Sequence, residues 1–234
     1  MQESRLALTT DRIVSVCREL LIEGGPPAVV VREVARRLSV SAPALYKHAS
    51  GRDDLLTLLI ASLQDELATN CEQARDAIPA DDAPAKLGAA TAAFRSWALA
   101  NRSEFALIYG QPIAGYSAPE DGPTVGSSLR FGRVFAEIYG QLLRDGRLRM
   151  PDETDLPEGF ERTLVHSPLP PDQQFPPAAV YQFAMGFQRM LGLISVEVAG
   201  HLGWAMTSSD VFAQRQLEDL AGELILPKPK GPSA

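Results

Sequence analysis

Residues 31–48 read VREVARRLSVSAPALYKH, two short helical patterns separated by a tight polar break. In the first, Val31, Val34, Ala35 and Leu38 recur at three- and four-residue spacing and line one face, while Arg32, Glu33, Arg36 and Arg37 fall on the other. The pattern stops at Ser39. Ser41 stands where it can N-cap a second helix, in which Pro43 is tolerated because early helical amides lack partners. Ala42 and Ala44 keep that helix slim, Leu45 anchors it inward, and Tyr46, Lys47 and His48 follow at its end. A slim helix of this kind fits a major groove roughly 12 Å wide and can reach base edges there. The stretch reads as a helix-turn-helix DNA reader.

Working outward, Thr10 followed by Ile13, Val14, Cys17, Leu20, Leu21 and Ile22 predicts an amphipathic helix that stops at Gly24-Gly25-Pro26-Pro27. Downstream, Ala49 to Arg52 form a turn. Asp53 and Asp54 then open a long helix through Leu55, Leu56, Leu58, Leu59 and Leu63, with the acids at its positive dipole end. Three short helices therefore feed a connector helix, and residues 1–52 form the expected reading domain.

The segment Ile13 to Leu59 resembles the N-terminal domain of the TetR family of transcriptional regulators. The likeness lies in the order and spacing of helix one, Val-Arg-Glu-Val-Ala, a Val-Ser turn, Leu-Tyr-Lys-His and Arg-Asp-Asp-Leu-Leu. Two positions depart from the family: it usually has Thr or Ser where this chain has Val30 or Val31, and an aromatic where it has Ala49. By position, the resemblance implies that Ser41, Ala42 and Ala44 lie nearest base edges, with Tyr46, Lys47 and His48 near phosphates or bases and Arg52 on the backbone. Arg32 and Pro43 complete the expected DNA-binding set. Phosphate contacts would set register and base contacts sequence preference.

The net charge of -7 is unevenly spread. Residues 1–62 hold eight basic and seven acidic side chains, a net of +1 that leaves the remainder at -8. An acidic body with a locally basic face favours a focused, salt-sensitive contact with DNA over a wrapping one. Cys17 and Cys71 both fall in helical patterns and are expected as reduced thiols. No secretion signal is evident at the N-terminus, so a cytoplasmic location is expected.

Beyond Ala77 the pattern is helical with interruptions, and no internal repeat is visible. Helices are predicted at Leu87 to Asn101, Ser103 to Tyr109, Ser127 to Arg144, Pro177 to Leu202 and Ser209 to Leu226. The stretch from Gly110 to Gly126 is expected as a loop, and residues 146–177 as irregular. The run from Met190 to Met206 is nearly apolar, but Arg189 flanks it and Glu197 and His201 lie within it, against a membrane span. The class is all-α: a helix-turn-helix domain, a larger helical domain over 53–226 that includes the connector, and a tail over 227–234.

The second half also resembles the C-terminal ligand-binding domain of TetR-type regulators, at Phe94 to Arg102, Tyr109-Gly110 and Gly192 to His201. That resemblance implies a homodimer through the last two helices, with Leu191, Ile194, Val198, Leu202, Phe212, Leu217 and Leu220 as interface candidates. It also implies one small-molecule effector pocket per subunit. Pocket candidates are Trp97, Phe105, Tyr109, Phe131, Phe135, Tyr139, Phe183, Phe187 and Met190, any of which can instead be plain core. A twofold dimer would set two reading helices in successive major grooves about 34–36 Å apart on a palindromic operator.

Enzymatic chemistry finds little footing. Glu197 and His201 are four apart, but no third metal ligand is in sequence reach, and a hydrogen-bonded pair is the plainer reading. Cys71 has no nearby histidine, and no Gly-rich phosphate loop or Gly-x-Ser-x-Gly elbow occurs. The chain reads as a non-enzymatic, cofactor-free DNA-binding regulator, a repressor relieved by a small molecule. The alternative is a helical ligand-binding module whose DNA reading is lost or ligand-dependent.

Overall fold

The computed structural model describes residues 8–164 and 175–227. Its helices are α1 (Thr10–Gly24), α2 (Val31–Arg37), α3 (Ala42–Leu45), α4 (Arg52–Asp76), α5 (Ala83–Ala100), α6 (Arg102–Tyr109), α7 (Pro123–Arg144), α8 (Pro177–Val198) and α9 (Asp210–Leu224). Short 3-10 turns occur at Pro26–Ala28, Glu153–Asp155 and Phe160–Thr163, and the only β pairing among the described residues is an isolated bridge between Leu148 and Ile225. The fold is all-α. The rest of the stretch read as irregular, residues 165–174, and the tail beyond Pro227 lie outside the described residues.

Helix ends follow local chemistry. Thr9 caps α1, its hydroxyl accepting from the Arg12 amide at 3.4 Å, and Gly25 at φ +69° ends the helix before the two prolines. Ile22, grouped with the buried face by its spacing, is exposed at the last turn. Ser41 does occupy the N-cap of α3, but its hydroxyl makes no capping bond. The second helix is also shorter than the pattern suggested, with only Ala42–Leu45 in α-helix; the next residues tighten into a turn in which the His48 amide bonds the Leu45 carbonyl at 2.9 Å. Between α2 and α3, Ser39 sits at φ +55° while its amide bonds the Arg36 carbonyl at 3.2 Å and the Val40 amide bonds that of Ala35 at 3.0 Å. These paired bonds form the Schellman closure usually made with glycine, so Ser39 accepts left-handed strain to reverse the chain.

Further on, α7 starts at Pro123, four residues before the predicted start, because proline at a first helical position loses no bond. The α8 helix ends at Val198, not near Leu202, where Gly200 at φ +70° turns the chain. Among the described residues, no helix is long and apolar enough to cross a membrane.

The chain packs as two compact units. The first holds the residues up to Glu66 together with Asn101–Ser128; the second holds Leu67–Ala100 and the residues from Leu129 on. This division does not follow the 52/53 boundary drawn from sequence, since the start of α4, α6 and the loop before α7 all pack with the reading helices. In the first unit, Ile13, Leu20, Leu21, Val29, Val34, Leu45, Leu55, Leu56 and Leu59 are almost fully buried, each such side chain contributing about 1.5–3 kcal/mol. Ala49, where the family usually has an aromatic, is itself buried.

One polar cluster crosses that apolar core. The Arg18 guanidinium on α1 donates to Glu104 of α6 at 2.8 Å, to Glu66 of α4 at 2.7 Å and to Asn101 at 2.8 Å. Glu104 is only 4% exposed. In the second unit, Phe94 of α5 meets Phe131 of α7 edge-on at 5.1 Å, and α8 packs on both α5 and α9. Arg18→Met is expected to lower unfolding free energy by about 2–4 kcal/mol by stranding the Glu104 carboxylate. Adding Glu104→Gln should recover part of the loss in urea titrations; equal stability of Arg18→Met and the native chain would show the cluster to be dispensable.

Candidate nucleic-acid interface and internal cavities

The α1 scaffold packs against α2, and α2 against α3, so the short turn of α3 is held from behind through Leu45 while its other side faces out. Ser41, Pro43, Tyr46, Lys47 and His48 are exposed, Tyr46 to 52%, and Ala42 and Ala44 are half-buried. Arg32 is exposed on α2, and Arg52 is half-buried at the start of α4, 3.8 Å from Asp53. All nine sequence-derived candidates for DNA contact thus lie in the first unit.

Electrostatics divide the basic residues of this head. Arg36 pairs with Glu33 at 2.6 Å, and Arg37 pairs with Glu23 at 2.5 Å and Glu33 at 3.2 Å. Hydrogen bonds from Arg36 and then Arg37 hold the Glu33 carboxyl down at about 2. By contrast, the side chains of Arg32, Lys47 and His48 make no hydrogen bond or ion pair among the described residues. The positive charge available to a phosphate is therefore narrower than the sequence count implied. One of the acids that neutralise Arg37, Glu23, comes from α1, fourteen residues upstream, and helical spacing within α2 reveals only the Glu33 partner. At the head of α4, Asp54 accepts from the Ser50 amide at 2.8 Å and also from the Ser50 hydroxyl, which fixes the turn after His48. Val30 is the N-cap of α2 and supplies no side-chain bond, as its aliphatic side chain requires.

In the second unit a cavity of about 440 Å³ lies among α5, α7, α8 and α9. Five of the aromatic and apolar candidates line it: Phe135, Tyr139, Phe183, Phe187 and Met190. The other four do not. Trp97 and Phe131 are buried in packing, the latter against Phe94 and Phe135, whereas Phe105 and Tyr109 belong to the first unit and contact each other at 5.3 Å. The aromatic wall is ordered by edge contacts, with Tyr139 on Phe183 at 5.1 Å. Gly186 is what lets α8 come this close to α7, since a Cβ there would stand 2.2 Å from the Tyr139 hydroxyl oxygen. Burial raises the Tyr139 phenol above its ordinary range, so it stays neutral. Sequence spacing missed the α5 wall, Gly88, Thr91, Ala92 and Arg95, because small and polar residues carry no aromatic signal.

Of the interface candidates, Ile194, Val198 and Leu220 are buried within one chain, and Leu217 and Leu220 line the cavity. Leu191 and Leu202 are half-buried and Phe212 is 43% exposed. Other apolar side chains stand open nearby in sequence: Trp204 at 87%, Val211 at 84% and Val196 at 38%.

Glu197 does not pair with His201. With α8 ending at Val198, His201 falls outside the helix and is exposed. The nearly buried Glu197 instead accepts from Arg95 at 2.7 and 2.5 Å and from the Ser209 hydroxyl at 2.8 Å, and Arg95 also reaches Asp210 at 2.7 Å. Burial pushes the Glu197 carboxyl up, but the bonds from Arg95 and Ser209 outweigh it and hold the group below its ordinary 4.5. Both cysteines are buried and free, and burial pushes their thiols up to about 12, so neither is a thiolate nucleophile at neutral pH. A second, more open cavity of about 460 Å³ lies in the first unit, bordered by Ile60, Gln64, Leu107, Tyr116 and Val125. The side-chain amide oxygen of Gln64 is buried there without a hydrogen-bond partner among the described residues.

Comparison with known proteins agrees with this arrangement. Residues 13–59 match the family model described as bacterial regulatory proteins of the tetR family, and residues 87–220 match that of the tetracyclin repressor-like C-terminal domain. An HTH-type transcriptional regulator of Mycobacterium bovis is 31% identical over 195 residues, covering 82% of this chain and 81% of its own. In fold, the regulatory protein SCO4313 superimposes with a TM-score of 0.70 at 24% identity, over 91% of this chain and 95% of that one. TetR from Acinetobacter baumannii, solved with minocycline, gives 0.53 at 20% identity, over 93% and 96%.

Two outcomes follow from the geometry. Lys47→Ala should weaken binding to duplex DNA of any sequence and reduce the slope of log K against log salt by about one, in fluorescence-anisotropy titrations across salt. Because the folded pKa of Glu197 is depressed, its stabilisation is complete above about 4.5 and is lost as pH falls through the lower folded value. Glu197→Gln should therefore flatten stability against pH in that acid window, measured by urea unfolding from pH 7 to pH 3.

Proposed function

The chain belongs to the TetR family of bacterial transcriptional regulators, and from that premise we propose that it is a homodimeric repressor released from its operator by a small molecule. It is a DNA-binding, helix-turn-helix transcriptional regulator. The observation that carries the proposed contact set is electrostatic: Arg32, Lys47 and His48 stand exposed and uncommitted while Arg36 and Arg37 are spent on acids of their own unit. Tyr46, exposed at the end of α3, adds a hydroxyl within the same stretch. Lys47, Arg32 and Arg52 would engage phosphates; Ser41, Ala42, Pro43 and Ala44 would face the base edges, with Tyr46 and His48 beside them.

A single short helix touches too few bases for a specific site, which supports two copies reading two half-sites. Phe212, Val211 and Trp204 offer apolar surface in the C-terminal region for the pairing. The reading domain over residues 1–52 and the ligand and dimer domain over 53–226 are retained as functional divisions, although the packing groups the segments differently. The cavity lined by Phe135, Tyr139, Phe183, Phe187 and Met190 is the proposed effector site, of a size normal for small-molecule pockets and with few polar groups. No catalytic role is assigned, and a cytoplasmic location suits a DNA-bound regulator.

Effector release requires differential affinity for two states of the chain, so DNA and effector must weaken each other by the same factor. Selection of bound sequences from randomised duplex DNA at physiological salt should enrich a palindrome with half-sites one helical turn apart. Enrichment of an unpaired half-site would rule out the dimeric reading. Absence of any enriched sequence would favour a ligand-binding module without independent DNA reading, a possibility raised by the uncapped start of α2 at Val30.

A further inference from the structure

We propose that the cavity among α5, α7, α8 and α9 takes lipophilic cations, molecules with an aromatic or apolar body and one protonated amine, and discriminates against carboxylates of the same shape. This rests on the reading of that cavity as the effector site and adds the charge class of its ligand.

The charged lining decides the sign. Only Arg95 and Glu218 among the lining residues are ionised. Arg95 looks at first like an anchor for an anion, but its Nε and one Nη are held by Glu197, and the same Nη also bonds Asp210. That cluster carries one positive and two negative charges, and an incoming carboxylate would have to approach Arg95 beside two carboxylates already bound to it. Glu218 makes no ion pair among the described residues; its one hydrogen bond is accepted from Gln214 at 3.0 Å. The lining therefore offers an uncompensated carboxylate and an acid-rich cluster, with no free cation to oppose them.

Position completes the argument. Glu218 is exposed and also borders a surface groove with Arg149, Gln182, Met185 and Arg189, so it lies where the cavity meets the surface. Arg149 and Arg189 border the groove alone, and Arg189 is tied to Glu223 at 2.5 Å. Phe135, Tyr139, Phe183 and Phe187 line the same cavity, the first two buried and the other two half-buried, and the faces of aromatic rings are electronegative and attract cations. An amphipathic cation can place its rings among these side chains and its ammonium toward Glu218.

The test uses three ligands on one skeleton, biphenyl-4-ylmethylamine, biphenyl-4-ylmethanol and biphenyl-4-carboxylate, titrated calorimetrically into the full chain at pH 7. The amine should bind at least tenfold more tightly than the carboxylate at 50 mM salt, with the alcohol between, and the gap should shrink at 500 mM salt. Glu218→Gln, a substitution at an exposed position, should narrow the amine-to-carboxylate ratio at least threefold. A carboxylate that binds as well as the amine, or a ratio unmoved by Glu218→Gln, overturns the charge assignment. The location is checked separately with Gly88→Leu, because Gly88 borders the cavity and a Cβ there meets no atom within 4 Å, so the larger residue is accommodated without displacing a neighbour. Loss of binding in that variant supports the site; binding that persists through it, or no binding of any of the three to the native chain, overturns the cavity reading and this proposal with it.

Discussion

The Arg18 guanidinium is the interaction on which the first unit depends. Glu104 is nearly buried, and a carboxylate in that position without a partner would cost several kcal/mol. Arg18 offsets the cost because its planar fork can face two carboxylates and the Asn101 amide oxygen at once, which a lysine's point charge could not do with the same geometry. Burial works against the charge on Arg18, but the bonds to Glu66 and Glu104 prevail and keep it protonated. The three helices that meet there are α1, which backs the reading helices, α4, which leaves the head, and α6. A shift of α4 or α6 relative to α1 must stretch hydrogen bonds of 2.7 to 2.8 Å, so the cluster resists gradual deformation.

The second unit depends on a contrast of side-chain size. Protein interiors are normally close-packed, and a void of about 440 Å³ needs a reason. Here Gly88 and Ala92 of α5 and Ala221 of α9 line the same cavity as Phe135, Phe183 and Phe187, and a Cβ at Gly88 would meet no atom within 4 Å. The rings are kept apart by their own contacts: Phe131 meets Phe187 at 6.2 Å, and Tyr139 braces Phe183. Gly186 admits the Tyr139 hydroxyl, and the Arg95, Glu197 and Asp210 cluster ties α5 to α8 and the start of α9. The walls are held in place by specific contacts, and the space between them is what remains.

Much of this was legible in residue order. The apolar periodicity of Val34, Ala35 and Leu38, the break at Ser39 and the position of Pro43 identify the helix-turn-helix because each depends on neighbours within one or two turns. Gly25 and Pro26 end α1 for equally local reasons. Helix ends were less legible where two chemistries compete: Gly200, not the apolar run through Leu202, ends α8, and proline at 123 starts α7 early. The cavity was half legible. Large apolar and aromatic residues are conspicuous, so five of its lining residues are legible in the sequence, but Phe105 and Tyr109 have the same appearance in sequence and pack in the other unit.

Residue order alone was enough for the helical class, the reading motif and the family, since all three rest on short-range periodicity and spacing. Which charges remain free for a ligand was settled by distant partners: Arg37 is neutralised by Glu23, Arg18 by Glu104, and Arg95 by Glu197, at separations of 14, 86 and 102 residues. A side chain's charge is written in the sequence, but its availability depends on what folding brings within 3 Å of it. The same holds for empty space, because a void is defined by residues that face one another from four helices and no single helix records it.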